Sequence, residues 1–162
     1  MNLFERFAAR ARLQPSHPAL LGPAPGECWS YGRLLEAVAE QAALLRSAGC
    51  GPGSSLGLHC RGGRDYIVHT YAAWRNGSCV VPIPVELAGD EKRTVATEIH
   101  LDFILGKASD GELFRDLCQE PATALAGGQA LFPGLPRRAH PPGASSPRLR
   151  RGRGRRCGHV GH

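Results

Sequence analysis

Three short apolar runs constrain this chain more than any other feature: SLGLHC at 55–60, SCVVPI at 78–83 and LDFILG at 101–106. Between the first two lies RDYIVHTYAAWRNG, where Ile67, Thr70, Tyr71 and Trp74 share one face at helical spacing and Gly77 closes the segment. Between the second and third, a loop leads into a short helical stretch around DEKRTVATEI. Buried strands separated by helices are joined by crossovers, so they run parallel, and right-handed crossovers lay the helices over the sheet. The expected fold is α/β, a partial doubly wound and mainly parallel sheet.

The segments upstream fit that layer. Leu3, Phe4, Phe7, Ala8 and Ala11 form the apolar stripe of a first helix that Pro15 terminates. PALL (18–21) and CWSY (28–31) read as two short strands around GPAPGE, a hairpin. Ser30 stands at the N-cap position of YGRLLEAVAEQAALLRSAG, whose inner face is Tyr31, Leu34, Leu35, Val38, Ala42 and Leu45, and Gly49 is placed to end it in a left-handed conformation.

Downstream, order is expected to fade. SDGELFRDLCQE, within 107–120, offers one weakly ordered helical segment. From Pro121 to the end the chain is rich in Ala, Gly, Pro and Arg, with few large apolar residues and no sustained period, so 121–162 is expected to be disordered. Charge divides at almost the same place. Residues 1–136 carry 12 Lys and Arg against 14 Asp and Glu, whereas 137–162 hold 8 arginines and no acid. An argument from basicity to nucleic acid therefore concerns the tail alone. The tail has no aromatic residue for stacking and the body no basic face to extend it, so only adventitious, salt-sensitive binding is expected.

Six scattered cysteines without a CxxC pair, charges interleaved through MNLFERFAARARLQP, and no apolar stretch of membrane-spanning length predict a reduced, cytoplasmic protein with no membrane partner. Cys60 and Cys79 read as small core residues. Cys157, His159 and His162 lie close together, but three ligands on a tail make no zinc site. The glycines of GCGPGSSLG precede a strand instead of opening a helix, which makes them a turn. His59, His69 and His100 stand in no carboxylate or nucleophile pattern and read as structural or surface histidines; Asp65, beside Tyr66, reads as a helix cap. Trp29, Tyr71 and Trp74 read as packing residues.

Taken in order, LFERFAARARLQPSHPALL, WSYGRLLEAVAEQAALLRSAGCGPGSSLGLHC and RDYIVHTYAAWRNGSCVVPIPVEL resemble the start of the adenylate-forming superfamily, which includes acyl-CoA synthetases and peptide-synthetase adenylation domains. Trp29, Ser30, Tyr31 and Leu34 match its W-S/T-Y-x-x-L opening of a long helix. Gly49, Gly51, Pro52 and Gly53 match its glycine–proline turn, and Trp74, Gly77, Val81 and Pro82 its W/L-x-A-G-x-x-x-V-P-L element. Asn76 stands for the usual Ala and Ser54 for the usual Asp. On this resemblance 1–106 is part of the N-terminal lobe of an AMP-binding synthetase domain. Such enzymes use ATP and Mg²⁺ to activate a small-molecule carboxylate as its acyl-adenylate, and often pass the acyl group to coenzyme A or a carrier-protein thiol. The family's S/T-G-T-T-G-x-x-K-G phosphate loop, adenine motif and lid lysine are absent from 1–162. The resemblance therefore assigns no catalytic, cofactor-binding or metal-binding residue here, and implies an N-terminal fragment, inactive alone, with no cofactor retained.

The six arginines of Arg148–Arg156 have an explanation in the same terms. Read one base back, the codons of Pro147, Arg148, Leu149, Arg150 and Arg151 permit Thr-Ser-Ala-Thr-Thr, and Gly152 to Arg155 permit Gly-x-x-Lys. That is the family's phosphate loop with one Gly-to-Ala departure, at its expected distance past the VVP strand. A frameshifted tail is the expectation; a genuine arginine-rich nucleic-acid arm, or a non-catalytic subunit completed by a second chain, are the alternatives.

Overall fold

In the computed structural model, which describes residues 3–22, 26–118 and 121–134, the chain opens with helix α1 (Leu3–Leu13), burying Phe7, Ala8 and Ala11. Strands β1 (Pro18–Leu21) and β2 (Cys28–Ser30) pair antiparallel as the expected hairpin. Ser30 then caps α2 (Tyr31–Ser47), its Oγ accepting the Arg33 N–H at 3.3 Å. The helix stops at Gly49, φ 88°, where the Gly49 N–H donates to Arg46 O at 3.0 Å and the Cys50 N–H to Leu45 O at 2.9 Å. That pair of bonds is a Schellman motif, which only a residue tolerating positive φ closes without strain.

The predicted alternation follows: β3 (Ser55–Leu58), α3 (Arg64–Arg75), β4 (Cys79–Pro82), α4 (Gly89–Glu98) and β5 (Phe103–Lys107). Strand β3 runs parallel to both β4 and β5. Asp102 fixes the start of the pair, its Oδ2 accepting the Ser55 N–H at 2.7 Å and the Ser55 hydroxyl at 2.9 Å. The segment at 107–120 becomes helix α5 (Gly111–Phe114) between two 3₁₀ turns, Ala108–Asp110 and Arg115–Leu117.

Beyond it the structure corrects the sequence. Residues expected to lack order from Pro121 onward form β6 (Thr123–Ala124) and β7 (Gln129–Pro133), and the sheet order is β4-β3-β5-β7-β6. β7 pairs antiparallel with all of β5, from Phe103 opposite Pro133 to Lys107 opposite Gln129. Its own text, QALFP, has no usable period. Its order comes from satisfying the free backbone groups of β5 and from burying Ala130, Leu131 and Phe132. The sheet is thus mixed, parallel in three strands and antiparallel in two. The arginine-rich tail lies outside the described residues.

Alternating side chains give the sheet two cores. One face holds Leu56, Leu58, Leu105 and Leu131 under α1, α2 and α3; the other holds Ile83, Ile104, Ala130 and Phe132 under α4 and α5. Two expectations change here. The most buried face of α3 is Val68, His69, Ala72 and Ala73, because small side chains let the helix lie close to the strands. The Ile67–Tyr71–Trp74 face meets its neighbours instead: Phe7 and Tyr71 stack at 4.4 Å, and Tyr71 and Trp74 meet edge to face at 5.6 Å. Cys79 is exposed on edge strand β4; among the described residues the fully buried cysteine is Cys50.

Candidate functional site

The strand order reverses at β3. From β3 the chain crosses through α3, on one face, to β4; from β4 it returns through α4, on the other face, to β5. The loops leaving the carboxyl ends of β3 and β5 therefore diverge, the arrangement that opens a crevice in doubly wound sheets. A cavity of about 660 Å³ lies there. Its walls include the hairpin (Leu20, Leu21, Trp29), the β3–α3 loop and first residues of α3 (His59 to Asp65), and the end of β5 with Asp110. Trp29 is fixed by two guanidinium groups, Arg33 at 4.3 Å and Arg64 at 4.9 Å from its ring centroid. Val85, Gly127 and Gln129 also line it; the Lys92 ammonium, itself buried, donates to the Val85 carbonyl at 2.8 Å.

His59 is the first residue past β3. Its N–H continues the parallel ladder to Leu105 O at 2.8 Å, and its ring stands edge-on to Phe114 with centroids 5.3 Å apart. Nδ1 lies 2.9 Å from Asp110 Oδ2, which also accepts the Lys107 N–H at 2.9 Å. A carboxylate only accepts, so Nδ1 carries the proton and, in the neutral ring, Nε2 is a bare acceptor. His59 is 6% exposed, and Nε2 has no partner among the described residues. Gly106 makes room for the pair: a Cβ there would fall 2.8 Å from Asp110 Oδ2 and 3.6 Å from His59 Nδ1. In the sequence His59 stands in no carboxylate pattern. The fold supplies one from 51 residues away, and no motif around Asp110 announces it.

His69, on α3, also lines the cavity and is 3% exposed, with both ring nitrogens unpartnered. Burial pushes its pKa down to about 4, the Asp65 charge opposing only weakly. His100 belongs elsewhere, exposed at the end of α4 with its Nδ1 against Thr97 O. Asp65 is not the cap: α3 begins at Arg64 with Gly63 in the cap position, and Asp65 sits in the first turn, paired with Arg64 Nε at 3.1 Å. Cys60 is half-buried on the cavity wall, and burial raises its thiol pKa, so it is no activated nucleophile. Cys157, His159 and His162 lie outside the described residues.

The glycine turn before β3 is not built as a phosphate site. It uses its own polar groups: Ser54 Oγ accepts the Gly51 N–H at 3.2 Å, Gly51 O the Ser54 N–H at 3.0 Å, and Gly77 O the Gly53 N–H at 3.0 Å. No amide cradle for phosphate remains there. Among the described residues no cluster of three His, Cys, Asp or Glu could hold a metal ion. No described helix is long and apolar enough to cross a membrane.

Comparison with known proteins gives this geometry a context. The protein family described as AMP-binding enzyme matches residues 7–136. No curated protein matches the chain. Among solved structures, the inhibitor-bound N-terminal domain of FACL13 from Mycobacterium tuberculosis is similar at a TM-score of 0.64 and 19% identity, over 72% of this chain and 29% of that one. Coronafacic Acid Ligase from Pectobacterium brasiliense is similar at 0.60 and 23% identity, over 64% and 20%. The nonribosomal peptide synthetase FmoA3, bound to alpha-methyl-L-serine-AMP, is similar at 0.62 and 24% identity, over 75% and 13%. At these identities the likeness is one of fold, and the chain spans less than a third of each of the three.

Proposed function

The chain belongs to the AMP-binding enzyme family, and from that premise we propose that it is the N-terminal part of an ATP-dependent synthetase that activates a carboxylate, its 162 residues supplying framework without the groups that grip the nucleotide. In that reaction a carboxylate oxygen attacks the α-phosphorus of ATP, pyrophosphate leaves, and a thiol can later take the acyl group and release AMP. The carrying observation is the family match over residues 7–136, which runs through every described strand and past the end of β7. The glycine turn with its amides already bonded, and the lack of a phosphate-loop sequence in 1–162, support the second half of the reading. We place the protein in the cytoplasm, on its unpaired cysteines and the family's usual setting.

ATP–pyrophosphate exchange tests the proposal. The purified chain, offered Mg²⁺ and a panel of aliphatic, aryl and amino acids, is expected to give no exchange above background, and exchange with any of them overturns the reading. The tail has its own test. Translating the gene one base back beyond codon 106 is expected to yield the phosphate loop followed by the family's remaining motifs. A stop codon or unrelated text in that frame would leave Arg148–Arg156 as a real basic arm.

A further inference from the structure

We propose that the arginine-rich tail, residues 137–162, docks on the acidic outer face that α4, α5 and the loop before α4 present in the same chain, so that the body withholds the tail from nucleic acid. The inference is independent of the adenylate reading and of how the tail arose, because it rests on charge and position. Residues 83–136 carry 4 Lys and Arg against 9 Asp and Glu, a balance of −5, whereas residues 1–82 carry 8 against 5, or +3. The tail's 8 arginines have no acid among them. The body's excess of acid thus falls in the stretch that covers the second side of the sheet, under α4 and α5.

That charge is only partly answered within the body. Asp90 pairs with Arg93, Glu112 with Arg115, and Glu91 accepts the Ala88 N–H. Lys92 turns inward, buried, to the Val85 carbonyl. Glu86, Glu98 and Asp116 are exposed and have no cation at ion-pair distance among the described residues. The end of α4 adds to the demand. Helices α1, α2 and α3 place arginine in their last turns, Arg10 and Arg12, Arg46, and Arg75. α4 has no base there and closes on Glu98. A helix carboxyl end carries partial negative charge and favours a cation, so this one holds an acid against its own dipole.

The tail leaves the fold beside that point. β7 ends at Pro133, opposite Phe103, and the Gly134 N–H donates to Asp102 O at 2.7 Å, next to the turn that joins α4 to β5. Twenty-eight residues follow Gly134. A chain of that length bridges about 30 Å, against roughly 15 Å for a helix the length of α4. Tethered so near, the arginines meet this face at about millimolar effective concentration, above what a second copy supplies in dilute solution. Nucleic-acid phosphates need the same guanidinium groups and therefore compete with the face.

Two measurements on the full chain test the docking. Backbone ¹H–¹⁵N spectra compare the native chain with a full-length variant in which Arg148, Arg150, Arg151, Arg153, Arg155 and Arg156 are replaced by serine. Differences are expected at amides within 86–118, unchanged on about tenfold dilution, and fading as salt rises from about 20 to about 500 mM. Affinity for a fluorescent oligothymidylate is then read for Glu86→Gln/Glu98→Gln/Asp116→Asn and for Glu27→Gln/Glu36→Gln/Glu40→Gln, exposed acids elsewhere whose loss changes net charge equally. Release of the tail should make the first variant bind at least about threefold tighter than the second. Circular dichroism checks the fold, and the serine variant, which leaves the body untouched, decides by spectra alone if an acid variant does not fold. Equal affinity of the two variants, no spectral difference at 86–118, or a difference lost on dilution, as when the tail lies on a second copy, overturns the proposal. No arm uses ATP, so failure here leaves the family reading standing.

Discussion

Asn76 occupies the C-cap of α3, 4% exposed, with its carboxamide fully engaged. Its Nδ2 donates to Ala42 O at 2.8 Å and Cys50 O at 3.4 Å, and its Oδ1 accepts from the Arg46 guanidinium at 2.8 Å. One side chain thus ties the end of α2 to the end of α3, where the family resemblance leads one to expect alanine. Asn76→Ala removes all three bonds and is expected to cost about 2 kcal/mol, read as a lower urea midpoint at unchanged slope. Gly106→Ala acts on the cavity instead. The added methyl forces the Asp110 carboxylate away, so the His59 Nδ1 proton should lose its hydrogen-bonded shift in ¹H–¹⁵N spectra while the far-ultraviolet spectrum changes little. His69 sets a pH limit. Its folded pKa of about 4 lies below the ordinary 6.5, so between those values the unfolded chain binds the extra proton. Stability is full above pH 6.5 and falls as the pH drops towards 4, by at most about 3 kcal/mol. His69→Leu should flatten that slope in urea melts at pH 7 and pH 5.

Helices α2, α3 and α4 all end in the same pair of backbone bonds, closed by Gly49, Gly77 and His100 in turn. His100 does this at φ 56°, a conformation that costs a residue with a Cβ. His100→Gly is therefore expected to raise stability by about 1 kcal/mol, and Gly77→Ala to lower it by a similar amount, both measured as midpoint shifts. The two glycine caps were readable in the sequence, as were the Ser30 cap and the strands β3, β4 and β5, because each rests on residues adjacent in the chain or on an uninterrupted apolar run. His100 gives no such sign, since nothing in its identity marks positive φ. Strand β7 was missed for another reason: QALFP becomes a strand only because β5 has an open edge beside it. The buried face of α3 escaped because Ala72 and Ala73 carry little hydrophobic weight, yet their smallness decides how near the helix comes to the sheet. His59 and Asp110 meet only once β3 and β5 are side by side with a glycine between them. A linear scan for carboxylates near a histidine passes over such a pair.

At the scale of the molecule, the sheet joins three parallel strands to an antiparallel pair, and Leu131 in β7 belongs to the same core as Leu56, Leu58 and Leu105. Leu131→Asp buries an unpaired charge in that core and should unfold the chain or reduce it to a state that binds a hydrophobic dye and lacks a sharp thermal transition. The strand order also sets a timetable for synthesis. β5 receives its second neighbour only once Gln129–Pro133 has emerged from the ribosome, after Phe103–Lys107 has already done so. Until then the growing polypeptide carries a bare hydrogen-bonding seam along Phe103–Lys107, open to any other extended segment in reach. Messages that end or stall between those two points would release products that stick to one another, and cells making them would be expected to route them to chaperones or proteases.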